Sequence, residues 1–343
     1  MQRRAVWYAM LLVSLLAGCK NPVRVVTDSN VRVYGPSPQS LGPLMPMPFN
    51  GQAPATGRKI ALVDVDGLLL NQDMTGMYSD GENPVAVFRE KLDIIARDPC
   101  YAAVVLRINS PGGGVTAADM MRHDLRNFKA RTGKPIVACL MDVGAGGAYY
   151  LATSADNIVA HPTTLTGGIG VILNLYNLED AMAQFNIVGV PIKSGENIDL
   201  GTPIHAQSDA AREILEKIAQ EFHARFREGV IADRPQLGAA PAEVFDGRIY
   251  TAQQGLKLQL VDSIGYLDDA AQMAGELGGA PGAQLVMLHR RHDRARSPYD
   301  TTPNFPLQTT LLPLSMPGFE RAKLPTFLYL WQPDPTLERS GGR

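Results

Sequence analysis

Cysteine is scarce in this chain of 343 residues: three residues, Cys19, Cys100 and Cys139, too few for a disulfide framework. Cys139 lies inside the apolar run Ile136 to Met141, where a small thiol packs like an apolar side chain, so Cys100 and Cys139 are expected to be unpaired. A surplus of either charge is also missing. Lys and Arg number 32 against 34 Asp and Glu, a net charge of -2, which leaves no extended cationic surface of the kind nucleic-acid binding needs. The six histidines, His123, His161, His205, His223, His289 and His292, form no paired ligand spacing with Cys or carboxylates, so neither a metal nor a cofactor is expected. No Gly-Lys-Ser/Thr follows the glycine triplet Gly112-Gly113-Gly114, which excludes a phosphate loop there. Finally, Leu140 to Ala152 contains no Ser, Thr or Cys, and hence no side chain able to act as a hydroxyl or thiol nucleophile.

What is there begins with an export signal. Met1-Gln2-Arg3-Arg4 precedes the largely apolar run Ala5 to Leu16, which is too short to span a bilayer, and small residues follow before a cleavage point. Residues 1–18 read as a signal peptide that is removed. Leu16-Ala17-Gly18-Cys19 resembles a bacterial lipobox, which implies that Cys19 is the acylated first residue of the mature protein. Several acyl chains anchor firmly, since each buried methylene adds roughly 0.8 kcal/mol. Lys20, in place of the aspartate that marks inner-membrane retention in the lipoproteins this resembles, favours the outer membrane of a bacterial envelope, facing the periplasm.

Residues 19–57 are rich in Pro, Gly, Ser and Asn and read as a flexible tether. Ile60 to Val65, Ala102 to Ile108 and Ile136 to Met141 are nearly continuous apolar runs, as in parallel strands covered on both faces. Helical patterns lie between them, over Val85 to Ala96 and Ala117 to Lys129, so the expected class is α/β with right-handed crossovers. A long helix is predicted from Asp209 to Ile231, capped by Ser208, with Ala211, Leu215, Ile218, Phe222 and Phe226 as its apolar stripe. Another starts at Thr251 with a capping box to Gln254. The main domain is expected over 58–280. Residues 281–343 read as a basic, proline-rich extension, its run His289 to Arg294 a solvated face. Its exposed-looking Phe327, Tyr329, Leu330 and Trp331 could pack on the domain, touch a neighbour or graze the membrane.

Three segments carry the chemistry: Asn109-Ser110-Pro111-Gly112-Gly113-Gly114, then Ala145-Gly146-Gly147-Ala148-Tyr149-Tyr150, then Pro162-Thr163-Thr164-Leu165-Thr166-Gly167-Gly168-Ile169-Gly170-Val171. Their order and spacing resemble the signal peptide peptidase A family, membrane-associated serine peptidases of the ClpP/crotonase superfamily, and the resemblance runs over about Lys59 to Gly278. It implies a ClpP/crotonase-like α/β fold with parallel core strands and covering helices. It implies too that Gly112, Gly113 and Gly146 offer backbone N–H groups to an oxyanion and a bound peptide. The nucleophilic serine of the family falls on Ala145, or on Gly146 when Tyr149-Tyr150 sets the register; neither has a hydroxyl. The family's general-base lysine sits in a segment like Lys193-Ser194-Gly195-Glu196-Asn197-Ile198-Asp199, where its position is Ile198. An aliphatic side chain transfers no proton, and loss of a nucleophile–base unit leaves only slow residual catalysis.

The expected function is therefore a membrane-anchored, signal-peptide-peptidase-like protein that binds peptides or regulates without the Ser/Lys dyad. As the resemblance implies, it would form a homo-oligomeric ring or a mixed ring with an active paralogue. The alternative is a working serine endopeptidase degrading signal peptides with a relocated nucleophile, Ser110 or Ser194 with Lys193. An acyl-CoA enzyme of the same superfamily is a weaker reading, because export removes the chain from the cytoplasmic CoA pool.

Overall fold

Apolar runs without polar alternation become central strands when helices cover both sides, and that rule organises the chain. The computed structural model describes residues 42–48, 57–73, 82–290, 297–300 and 327–331. All belong to the compact unit Gly42–Arg343; the signal sequence and Cys19 lie outside the described residues. In chain order the elements are β1 (Leu44–Pro48), β2 (Lys59–Leu69), α1 (Pro84–Arg97), β3 (Tyr101–Gly114), α2 (Val115–Thr132), β4 (Ile136–Ala145), α3 (Gly147–Ala152), β5 (Asn157–Ala160), β6 (Leu165–Gly167), α4 (Glu179–Gln184), α5 (Asp209–Asp233), β7 (Ile249–Thr251), α6 (Ala252–Lys257), β8 (Ser263–Ile264), α7 (Leu267–Leu277), β9 (Gln284–Arg290) and β10 (Leu328–Leu330).

The sheet runs β1-β9-β2-β3-β4-β5-β8, with β10 added to β3, β6 to β4 and β7 to β6. Pairs from β9 through β2, β3, β4 and β5 to β8 are parallel. Alternate residues of β2 and β3 feed two cores. Ala61, Val63, Val104, Leu106 and Ile108 pack with Phe88 and Leu92 of α1 and Met121, Leu125 and Phe128 of α2. Ile60, Leu62, Ala103 and Val105 pack on the other face with Leu267, Ala270 and Ala274 of α7. This is the α/β class with parallel core strands and covering helices. Caps fall where the sequence puts them: Ser208 Oγ accepts from Ala211 N, and Thr251 and Gln254 close a capping box.

Two boundaries differ from the sequence reading. Part of the expected tether, Leu44–Pro48, is an edge strand antiparallel to β9, where prolines are tolerated because one edge needs no donors. The expected C-terminal extension begins with a core strand, since β9 inserts between β1 and β2 with Val286, Met287 and Leu288 fully buried. The basic run starts inside that strand rather than on a solvated face. His289 is buried, and Arg290 pairs with Glu82 and Glu90 at 2.5 and 2.7 Å; Arg291 to Arg294 lie outside the described residues.

Candidate functional site

Strand β3 runs past the end of its pairing with β4 at Ser110 into a glycine turn, still paired with β2 as far as Gly113. Asn109 ties this turn to the end of β4: its Oδ1 accepts from Val143 N at 3.2 Å. Ser110 is fully buried below, and its Oγ accepts from Gly112 N at 3.1 Å. Gly112 has φ +106, and a Cβ there would lie 2.0 Å from the Tyr329 carbonyl oxygen and 2.7 Å from Gly147 N. A Cβ on Gly113 would meet the Leu69 carbonyl oxygen at 2.2 Å. The turn is free of side chains because two stretches of backbone crowd against it.

The second turn joins β4 to α3. Gly146 has φ 56 and ψ -129, a bend almost reserved for glycine, and its N–H donates to the Gly167 carbonyl at 2.9 Å. A Cβ on Gly146 would stand 2.4 Å from the Tyr329 carbonyl oxygen and 2.9 Å from its carbon. Ala145 is fully buried one residue earlier, in register with Gly167 of β6. With Gly112 N–H spent on Ser110 Oγ and Gly146 N–H on Gly167, two of the three expected oxyanion donors are engaged elsewhere, although both residues crowd against a single carbonyl group.

That carbonyl belongs to the chain itself. Leu328–Leu330 forms β10, antiparallel to Gly112–Gly114. Val115 N donates to the Phe327 carbonyl at 3.2 Å and Trp331 N to the Pro111 carbonyl at 3.0 Å, so alternation along the ladder makes Tyr329 and Gly113 a hydrogen-bonded pair. The other edge is held as well: Leu328 and Ile172 exchange both backbone bonds, at 2.8 and 3.0 Å. Leu328, Tyr329 and Leu330 are buried, so of the placements open to the terminal aromatic segment, packing on the domain is the one these residues adopt.

The remaining predicted residues stand elsewhere. Lys193, Ser194 and Ile198 lie on an arm, residues 172–208, that joins the second turn's surroundings to α5. Ile198 is 70% exposed, and Lys193 pairs with Asp199 at 2.8 Å. The Lys193 ammonium and the His205 side chain hold the Asp199 carboxyl down at about 2. Cys139 is buried and free, its thiol pushed up to about 12 by burial, and Cys100 is free and exposed. Among the described residues no group of His, Cys, Asp and Glu is placed to hold a metal, and no helix is long and apolar enough to cross a membrane.

Sequence reasoning did not identify Tyr329, Ile172 or the pocket that receives the tyrosine ring. A signal existed in Phe327-Leu328-Tyr329-Leu330-Trp331, five consecutive residues suited to a strand after a proline-rich stretch. Nothing in that stretch named the groove as its partner.

The Peptidase family S49 model matches residues 129–280. The protein slr0021 of Synechocystis sp. is 31% identical over 225 residues, covering 66% of this chain and 76% of that one. Protease 4 of Salmonella typhi is 28% identical over 283 residues, covering 82% of this chain and 42% of its own length. Serine protease SPPA, chloroplastic, of Arabidopsis thaliana is 32% identical over 200 residues, covering 58% and 29%. The chain spans less than half the length of the last two relatives.

Proposed function

The chain belongs to peptidase family S49, the signal peptide peptidase A family, and from that premise we propose that it is a lipid-anchored member that keeps the peptide groove without covalent proteolysis. One observation carries the reading: an extended segment lies in the groove, paired along both edges, over two turns whose one hydroxyl, that of Ser110, is buried beneath and accepts from Gly112 N. Backbone pairing of that kind supplies affinity to any extended peptide. The glycine turns give the carbonyl a place, and nothing attacks it.

Of the two registers for the missing nucleophile, the geometry favours Gly146. Its bend has the form of a sharp strand-to-helix turn that thrusts a side chain at the substrate, and a Cβ there would meet the Tyr329 carbonyl, its oxygen at 2.4 Å and its carbon at 2.9 Å. Ala145 would then be the buried residue before it, and the base position remains Ile198. Relocated catalysis gains no support. The Ser110 hydroxyl is engaged by Gly112 N beneath the turn, and Lys193 is engaged by Asp199.

The arm supports assembly into a homo-oligomeric ring or a mixed ring with an active paralogue. Val188, Val190 and Ile192 are 79%, 80% and 101% exposed, an apolar stretch that a neighbouring subunit would cover. Cys19 would tether such a ring to the envelope membrane, facing the periplasm, with peptides as ligands.

The test is turnover of a fluorogenic peptide library by the mature chain, by Gly146→Ser with Ile198→Lys, and by Ala145→Ser with Ile198→Lys. The native chain is expected to be silent and the Gly146→Ser pair to recover activity. Turnover by the native chain that Ser110→Ala or Lys193→Ala abolishes would reverse the reading.

A further inference from the structure

The arm carries charged side chains that the groove and the glycine turns do not use. Its outbound limb ends in Lys193, the chain turns at Asp199, and the returning limb brings His205 back to the turn. Asp199 Oδ2 lies 2.8 Å from the Lys193 ammonium and 2.7 Å from His205 Nε2. His205 Nδ1 stands 3.0 Å from the Ala206 carbonyl oxygen. Two further bonds tie the returning limb to the root of the arm. Ala206 N donates to Glu179 Oε2 of α4 at 2.9 Å, and Leu178 N donates to the Pro203 carbonyl oxygen at 2.8 Å.

Both ring nitrogens of His205 thus face acceptors, a carboxylate on one side and a carbonyl on the other. A neutral imidazole has a single N–H and would set its lone pair against one of the two oxygens, whereas an imidazolium donates to both. The closed arm is therefore the geometry of the charged ring. The Ala206 carbonyl, and after it Asp199, raises the His205 pKa above its ordinary 6.5, against the opposing effects of desolvation and Lys193.

We propose that the His205 imidazolium is a pH-operated clasp: charged, it closes the arm on Asp199 and Ala206, and on losing its proton it lets the returning limb open. The charged and titratable groups around the ring are Asp199, Lys193 and, through Ala206 N, Glu179. Asp199, held down at about 2, is ionised across the neutral range, so the ring is the group that switches. The carboxylate keeps the Nε2 proton; the Nδ1 proton goes to water and leaves a lone pair facing the Ala206 carbonyl. Because the folded pKa lies above the unfolded value, the clasp is closed below about pH 6.5 and its contribution is lost as pH rises through the folded pKa. Between the bonded ends of the arm lie the exposed Val188, Val190 and Ile192, whose presentation the clasp then sets. On the assembly reading above, on which this last step rests, the ring loosens as pH rises.

Hydrogen exchange of the mature chain, native, His205→Gln and Asp199→Asn, is followed by mass spectrometry from pH 5.5 to 8.5, with each rate divided by the intrinsic rate at that pH. Sedimentation velocity at the same pH values reads assembly. Protection over 178–207 in the native chain is expected to fall about fivefold across the titration, the loss of a charge-assisted bond at a largely solvated site. His205→Gln has no proton to lose and should show the low level at every pH, with β3 amides unmoved in both chains. Asp199→Asn should move the step to lower pH.

Flat native protection, or parallel curves for the native chain and His205→Gln, would overturn the clasp. So would a native step that extends to β3, because the whole domain would then be titrating. Should His205→Gln not fold, Asp199→Asn decides: a step unmoved from native overturns the proposal. A step confined to the native arm in a chain that sediments as a monomer at every pH would support the clasp and sink the ring reading alone.

Discussion

Two stretches of similar chemistry meet opposite fates in this molecule. Ala103-Val104-Val105-Leu106 in β3 is fully buried, whereas Ile187-Val188-Gly189-Val190-Pro191-Ile192 on the arm stands in solvent, Ile192 completely so. Apolar composition alone does not bury a segment; a covering layer on each side does. Glycine divides the same way. At Gly112 the place of a Cβ is taken by backbone, while a Cβ on Gly195 would meet nothing within 4 Å. The body holds a strand in one geometry, whereas the arm leaves its apolar side chains in solvent.

The largest expected effect tests that contrast at its sharpest. Gly112→Ala forces a positive φ and a 2.0 Å clash with the Tyr329 carbonyl, and should cost of order 5 kcal/mol or expel the segment from the groove. Gly195→Ala should stay within about 0.5 kcal/mol. Urea unfolding gives the stability, and hydrogen exchange at the Leu328 and Ile172 amides gives the segment's release. Protection retained in a fully stable Gly112→Ala chain would dissolve the distinction.

Ion pairs extend it. Lys91 reaches Asp64 at 2.5 Å with both side chains buried, beside Arg107 and Asp66. Lys91→Met leaves a buried carboxylate without its ammonium partner and should cost about 3 to 5 kcal/mol in the same unfolding assay. The arm's Lys193 is part of a largely solvated pair, and Lys193→Met should leave the melting temperature unmoved.

These contrasts also mark how far the sequence could be read. Central strands and long helices were legible because their signals are local: continuous apolar runs, a Ser208 cap, a Thr251 box. The glycine turns were legible as turns, and their family likeness assigned them a role. Strand β1 was hidden by its prolines, which an edge position tolerates. Strand β9 was hidden by the charges at its end, which prove to be partnered by Glu82 and Glu90. The pairing of Tyr329 with Gly113 links residues more than two hundred positions apart, and backbone pairing leaves no mark on either sequence. The choice between Ala145 and Gly146 is open in the sequence for a similar reason: a one-residue register shift is invisible in a run of small residues.

The smallest predicted effect sets one aspartate of the body against one of the arm. Burial pushes the Asp66 carboxyl up to about 6, against the opposing pull of Arg107 at 3.0 Å, while Lys193 and His205 hold Asp199 down at about 2. For Asp66 the unfolded chain, with its carboxyl near 3.8, loses the proton first as pH rises. Stability then falls between about pH 4 and 6 and levels off above, a decline of at most about 3 kcal/mol. Asp199 slopes the other way and lower, its contribution present above pH 3.8 and lost as pH falls towards 2. Urea unfolding of the native chain and Asp66→Asn across pH 4 to 7 separates the two, since the variant should lose the decline and gain stability relative to native as pH rises. Parallel curves for the two proteins would mean that Arg107 outweighs burial at Asp66, and that the body holds this acid much as the arm holds its own.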